Sequence, residues 1–468
     1  MEAVGRNRRA LRFAFLAVAA ALLIWVALSG RGAIETLLRS TLASSEVSDH
    51  DRWRIGGIVP KLAALWWRRA GFVAVLAVGG LALAGVARRA SNRLALATLA
   101  LVATATVVLA IELLVAPFLI VPLGLHNYYF VLDVDHRFPG GNAGLGTNAD
   151  GIRTPREAAE FRAADENIVF LGDSFTYGLG VTAEETFPAV TATLLRERLG
   201  RGDVEAANFG WPSSSPLLAL RQLEDIGARY QPDVVVFALD MTDFHDDLMY
   251  QRMLDRRGLY WWYDKIPITL RTLERRAPSL FDRLYARANA GLPRQRFFAT
   301  ERPLDETRPL LAPVVENLER MARAADRLGA DFAVLLLPRA FQYSAEESPD
   351  NWEAAQYTVL GPYSREPFRY FESIADRLPF PVFSLLPAFE RTAVFPTCLT
   401  NDPHWNADGH RVAAEAIADF LAPRIAAAAR ATAAAEPAVG SDRATAGSRP
   451  TWRSRSRPRR DPSARRWR

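Results

Sequence analysis

The chain has 468 residues, half of them hydrophobic, and a formal net charge of +5. That length allows about two or three domains, and the hydrophobic content is enough for a sizeable core alongside membrane spans. The single cysteine, Cys398, excludes an intramolecular disulfide and any Cys-x-x-Cys metal site. The positive charge rests almost entirely on arginine, with Lys61 and Lys265 the only lysines, a pattern read as coding bias rather than nucleic-acid recognition.

Residues 11–29, LRFAFLAVAAALLIWVALS, are apolar after Arg12 and follow Arg6, Arg8 and Arg9. A cleaved signal peptide has the same charge layout but a shorter apolar part, so an uncleaved span is expected. A second span is expected at 71–87 and a third at 94–115, separated by Arg88, Arg89 and Arg93. Arginines mark the cytoplasmic side. Three spans then make residues 1–125 a multi-pass region of the cytoplasmic membrane, with everything after it facing the periplasm or cell exterior. Trp66, Trp67, Tyr128, Tyr129 and Phe130 are expected near the outer interface. Residues 126–160 form a lead-in to the next domain.

From residue 161 to 425 strands and helices alternate. NIVFLG (167–172), VEAANFG (204–210), DVVVFAL (233–239), DFAVLLLP (331–338) and PVFSLL (381–386) read as strands. Helical patterns lie between them, and GHRVAAEAIADFLAPRI is the last. This order implies a doubly wound, mainly parallel five-stranded sheet with sites beyond the carboxyl ends of its strands.

Two segments at such positions carry chemistry. In VFLGDSFTYGLG (169–180) an apolar strand ends abruptly in Gly-Asp-Ser, which presents Ser174 as a nucleophile. In DPHWNADGH, His404 lies just before the last helix and Asp402 two residues earlier. Residues i and i+2 of an extended segment project to one side, so Asp402 is placed to orient the His404 ring. His126, His136, His245 and His410 are read as structural.

GDSFTYG resembles the first signature block of the SGNH (GDSL-type) hydrolases, and NFGWP resembles their second. DPHWNADGH is similar to the last block in its Asp-x-His-Trp form, as in membrane-associated and polysaccharide-modifying members. TNADGIRTPRE (147–157) is similar to the Asn-x-x-Gly-x-Arg segment that often precedes the first block. The resemblance implies a flavodoxin-like three-layer α/β/α sandwich and ester chemistry through an acyl-serine. Ser174 would be the nucleophile, His404 the base and Asp402 the orienting acid. The N–H groups of Ser174 and Gly210 would serve the oxyanion hole, and no metal or organic cofactor is implied. The third block departs from the family: FALDMTDFHDD puts Thr242 where an oxyanion-binding Asn belongs. A lost oxyanion donor costs about 10²–10³ in rate.

Such a site, acting on an ester-bearing small molecule or polysaccharide, is read first as an esterase or deacetylase. An O-acyltransferase to polysaccharide using the same three residues, and a degenerate glycan- or protein-binding module, are the alternatives. Residues 244–300 form an insertion whose GLYWWYDK stretch is read as part of a cap or membrane anchor before a sugar platform. Residues 431–468 form a basic tail expected to be disordered, whose available polyanions are membrane lipid and envelope polymers.

Overall fold

The structure is a computed structural model that describes residues 31–43, 49–86, 93–119, 146–255, 261–262 and 266–435. It divides into two units. One takes the chain to Asp133 together with Arg252–Ala290, and the other takes Val134–Gln251 and Gly291–Arg468.

The second unit is built on five parallel strands: β1 (Glu166–Gly172), β2 (Val204–Asn208), β3 (Val234–Leu239), β4 (Asp331–Leu336) and β5 (Val382–Ser384). Their spatial order is β2-β1-β3-β4-β5, the flavodoxin-like winding. Phe170 of β1 sits between Asn208 of β2 and Val236 of β3. Alternate strand side chains point to opposite faces. Val169, Leu171, Val235 and Phe237 therefore pack with Leu220, Leu223, Leu318 and Met321 on one side. Ile168, Phe170, Val234 and Val236 pack with Phe187, Leu195, Ile417 and Leu421 on the other. Burial on both faces is why the strands read as unbroken apolar runs, and every residue of β1 is buried.

The crossover helices begin and end where the sequence marks them. Helix Phe187–Leu199 carries Pro188 in its first turn and stops at Gly200, whose φ of 62° lets its N–H reach the Arg196 and Glu197 carbonyls. The last helix begins at Ala407, capped by Asn406 Oδ1, which accepts from the Gly409 N–H at 2.9 Å. It continues to Ala435, past the start of the stretch expected to be disordered. The rest of the tail lies outside the described residues.

The first unit contains helices Arg31–Ala43, Asp49–Val86 and Arg93–Val115. Among the described residues, two segments are long and apolar enough to cross a membrane, Leu62–Gly80 and Ala100–Leu119. The segment expected at 71–87 is thus the later part of a longer helix, and its apolar window starts earlier. Trp66 falls inside that window. It is buried, and its indole donates to the Leu114 carbonyl at 2.9 Å, so it ties two helices together. The segment 11–29 and the aromatics 128–130 lie outside the described residues.

The insertion contributes helices Pro267–Arg276 and Pro278–Ala288. They belong with the apolar helices rather than with the sheet. The reason is a single carboxylate. Glu112, buried in helix Arg93–Val115, accepts hydrogen bonds from the Ile268 N–H (2.7 Å), the Thr269 N–H (2.8 Å) and the Thr269 hydroxyl. It therefore caps the first turn of the insertion helix from another helix, where free N–H groups and the helix dipole favour an anion.

Candidate active site

Ser174 follows β1 after a single residue, Asp173, and opens a four-residue helical turn, Ser174–Tyr177. Asp173 starts that turn by accepting the Phe175 N–H on Oδ1 at 2.9 Å, and Gly178 ends it at a φ of 80°. Asn208, at the end of β2, clamps the turn from beside: its Nδ2 donates to the Thr176 carbonyl at 2.7 Å. Arg153, from the lead-in segment, donates to the Tyr177 and Gly178 carbonyls at 2.6 and 2.5 Å. The turn that bears Ser174 is thus held on three sides by polar side chains.

His404 and Asp402 sit in a tight hairpin before the last helix. Leu399 N–H bonds to the His404 carbonyl at 2.9 Å, Asn406 N–H bonds to the Thr397 carbonyl at 3.0 Å, and Asn401 takes a left-handed φ of 56° at the turn. Trp405 anchors the hairpin from below, fully buried against Phe175, Phe187 and Phe389. The outcome is a continuous relay. Ser174 Oγ lies 2.8 Å from His404 Nε2, and His404 Nδ1 lies 2.5 Å from Asp402 Oδ1. Partial burial pushes the Asp402 carboxyl up, but hydrogen bonds from the His404 ring and backbone and from Trp352 outweigh it and hold it below its usual range. His410 stays out of the relay: burial pushes its ring down to about 3, and its Nδ1 accepts the Phe187 N–H at 3.2 Å.

A profile of the GDSL-like lipase/acylhydrolase family matches residues 170–412, just over half of the chain. The chain belongs to this family. It is an ester-hydrolysing enzyme with the SGNH fold. No curated protein matches it. Similar solved structures include a lipase/acylhydrolase from Enterococcus faecalis, 15% identical, with 55% of this chain and 96% of that one aligned and a TM-score of 0.34. A psychrotrophic esterase from Pseudoalteromonas sp. is 14% identical over 56% of this chain and 100% of that one, with a TM-score of 0.32. An acetylxylan esterase from Geobacillus stearothermophilus is 14% identical over 55% and 92%, with a TM-score of 0.30.

Two of the oxyanion donors expected from the acylhydrolase's sequence are occupied. The Gly210 N–H donates to Asn208 Oδ1 at 2.9 Å. Gly210 is glycine for a steric reason: a Cβ there would lie 2.1 Å from the Tyr177 nitrogen, so only glycine lets this loop approach the Ser174 turn. Thr242 is buried at the end of β3, and both its N–H (3.0 Å) and its hydroxyl (2.5 Å) donate to Asp240 Oδ2. Its one hydroxyl proton is spent on a carboxylate. The Ser174 N–H makes no hydrogen bond within the described residues. The same is true of Ser213, a non-glycine residue at a φ of 65° after β2.

Asp240 stands where it does because of Arg339, which the sequence reading missed. Arg339 follows β4, is buried, and donates to both Asp240 oxygens at 2.6 Å. Its position at the carboxyl end of a strand was the signal that could have found it. Arg339 also pairs with Glu353 at 2.7 Å, Glu353 with Arg296 at 3.1 Å, and Arg296 with Asp246. Burial works against the Asp240 charge, but the guanidinium overrides it and holds Asp240 down, to about 2. Asp173 has no such partner. Burial, then the charge on Asp240, pushes it up to about 7.

Two outcomes follow from this arrangement. Thr242→Val removes one hydrogen bond to a buried carboxylate, so stability should fall by about 1–3 kcal/mol while kcat stays within about twofold. A kcat loss of about 10²–10³ at unchanged stability would return the hydroxyl to the oxyanion. The second concerns pH. Folded Asp173 keeps its proton to about 7, whereas the unfolded chain loses it near 3.8. Stability is therefore lost as pH rises between those values and stays lost above them. Asp173→Asn keeps the cap and has no proton to lose. Its Tm should gain on wild type from pH 4 to 7 and hold that lead above; a lead independent of pH would refute the assignment.

Proposed function

We infer that this acylhydrolase is a membrane-anchored serine esterase that removes O-acyl groups from a glycan of the cell envelope or exterior. The observation that carries the chemistry is the unbroken relay from Ser174 Oγ to His404 Nε2 and from His404 Nδ1 to Asp402. Ser174 attacks the ester carbonyl as its proton passes to His404 Nε2, and Asp402 stabilises the imidazolium. Of the expected oxyanion donors the Ser174 backbone N–H is left, since those of Gly210 and Thr242 are engaged. Collapse breaks the bond to the sugar oxygen, which takes the proton from His404 and leaves as a free hydroxyl. Water then enters on the same base and frees the acid from Ser174. The glycan is favoured by the Asp-x-His-Trp form of the last block, which is similar to that of polysaccharide-modifying members.

The test is direct. A fluorophosphonate probe should label wild type and not Ser174→Ala, and purified wild type should release acetate from 4-nitrophenyl acetate with no sugar present. Ser174→Ala or His404→Ala should lower kcat by about 10⁴ or more. Turnover that requires an added acceptor glycan would replace hydrolysis with acyl transfer.

Membrane anchoring is supported by the segments Leu62–Gly80 and Ala100–Leu119, which turn apolar side chains outward, Val75 69% and Leu101 70% exposed among them. Arg88, Arg89 and Arg93 between these segments favour a cytoplasmic turn and an exterior active site. A phosphatase reporter fused after Leu421 should be active and one fused at Ser91 inactive. The reverse pattern would put the active site in the cytoplasm.

A further inference from the structure

Asp402 uses its two oxygens differently. Oδ1 accepts the His404 backbone N–H at 2.9 Å and faces the His404 ring at 2.5 Å. Oδ2 accepts one hydrogen bond among the described residues, from the indole Nε1 of Trp352 at 3.4 Å. Trp352 comes from the loop after β4, and its side chain is 60% exposed. Its neighbours are the reverse: Asn351 and Glu353 are buried on either side.

That exposure belongs to a fixed loop. Glu353 is held by Arg339 and Arg296. Asn351 Nδ2 donates to the Ser348 carbonyl at 2.7 Å and to the Tyr357 hydroxyl at 2.6 Å. Glu347 accepts from the Thr397 N–H at 2.6 Å and the Cys398 N–H at 3.2 Å, and the Ser348 hydroxyl donates to the Asp402 carbonyl at 2.9 Å. The loop is therefore stitched to the hairpin that carries Asp402 and His404. An indole held this way exposes apolar area that folding would otherwise bury, with its N–H edge on the site's own carboxylate and much of its surface open.

We propose that Trp352 is the residue where substrate recognition meets the relay: its N–H positions the Asp402 carboxylate, and its open ring stacks on the sugar that carries the ester. A flat, rigid aromatic surface suits the C–H face of a pyranose, and it immobilises few rotors of its own on binding. The sugar half of this assignment rests on the glycan-esterase reading; the positioning half needs only an ester. The sign of the positioning effect is set by charge. The indole N–H draws on the carboxylate that stabilises the His404 imidazolium, so its removal leaves more of that charge for the imidazolium. The other ionisable groups facing the relay are Asp173, 3.4 Å from Ser174 Oγ, Arg339 behind the Phe175 ring, and the buried His410. Trp352 hydrogen-bonds to none of them.

The experiment compares wild type, Trp352→Phe and Trp352→Ala in the full-length protein, on 4-nitrophenyl acetate and on an O-acetylated xylo-oligosaccharide. Tm confirms folding, which an exposed site should barely disturb. Both variants should shift the acidic limb of kcat/KM to higher pH, by about 0.4 unit, on the aryl ester. Trp352→Phe, which keeps a ring, should hold KM for the oligosaccharide within about twofold, whereas Trp352→Ala should raise it about tenfold. KM for the aryl ester should not move in either. An unshifted limb in Trp352→Phe would overturn the link to Asp402. Oligosaccharide and aryl ester KM values that change together, or not at all, in Trp352→Ala would overturn the stacking. Failure of the glycan reading looks different: wild type then cleaves the aryl ester and leaves the oligosaccharide intact, which removes the sugar half, while the limb shift on the aryl ester still decides the positioning half.

Discussion

A hydroxyl and an imidazole 230 residues apart in the chain must meet at 2.8 Å, and much of the second unit follows from that demand. A parallel sheet with both faces covered meets it, because every strand then delivers its carboxyl end to one edge. Ser174 stands two residues beyond the end of β1, Asp240 and Thr242 follow β3, and Arg339 follows β4. The His404 loop is the exception, since β5 ends at Ser384, well before Asp402. It reaches the edge through its own hairpin and through Trp405, whose buried ring is packed from several sides by aromatic neighbours. The same packing that stabilises the hairpin also fixes where His404 points, through a core residue next to it in sequence.

Near the strand ends, the buried Arg339 and the half-buried Arg296 pair with three buried carboxylates, Asp240, Glu353 and Asp246. Such a network is poor evidence of stability, because desolvation consumes much of the Coulombic gain. Its value here is directional. Arg339 fixes Asp240, Asp240 takes both donors of Thr242, and the edge of β3 is left with no side-chain donor where the family places an amide. It also acts on the far side of the site, for the Glu353 that Arg339 holds is next to Trp352 in sequence. One buried arginine thus shapes both the oxyanion side and the aspartate side of the site.

In the first unit, one carboxylate in an otherwise apolar helix decides where the insertion goes. Glu112 would be costly to bury alone. Capping the helix that starts at Pro267 gives it three donors at once, and the insertion joins the apolar helices instead of forming a cap with its own core.

Local pattern was enough to read the strands, the order of strands and helices, and Ser174, Asp402 and His404 as the residues to watch. Each of those signals is short-range: an apolar run stopped by Gly-Asp-Ser, an acid two residues before a histidine. The partners of polar groups were not readable, because a donor's acceptor is chosen by whatever the fold brings near it. Thr242 looked free until Arg339, 99 residues beyond Asp240, fixed that carboxylate beside it. Gly210 looked like a free donor until Asn208 Oδ1, at the end of β2, accepted its N–H. Trp352 carried no signal at all until folding set its indole against Asp402. The sequence by itself determined which residues can do chemistry and at which strand ends they stand. Only the tertiary structure decided which of their protons remain available, since hydrogen-bond capacity is finite and is shared out among neighbours that adjacent sequence does not name.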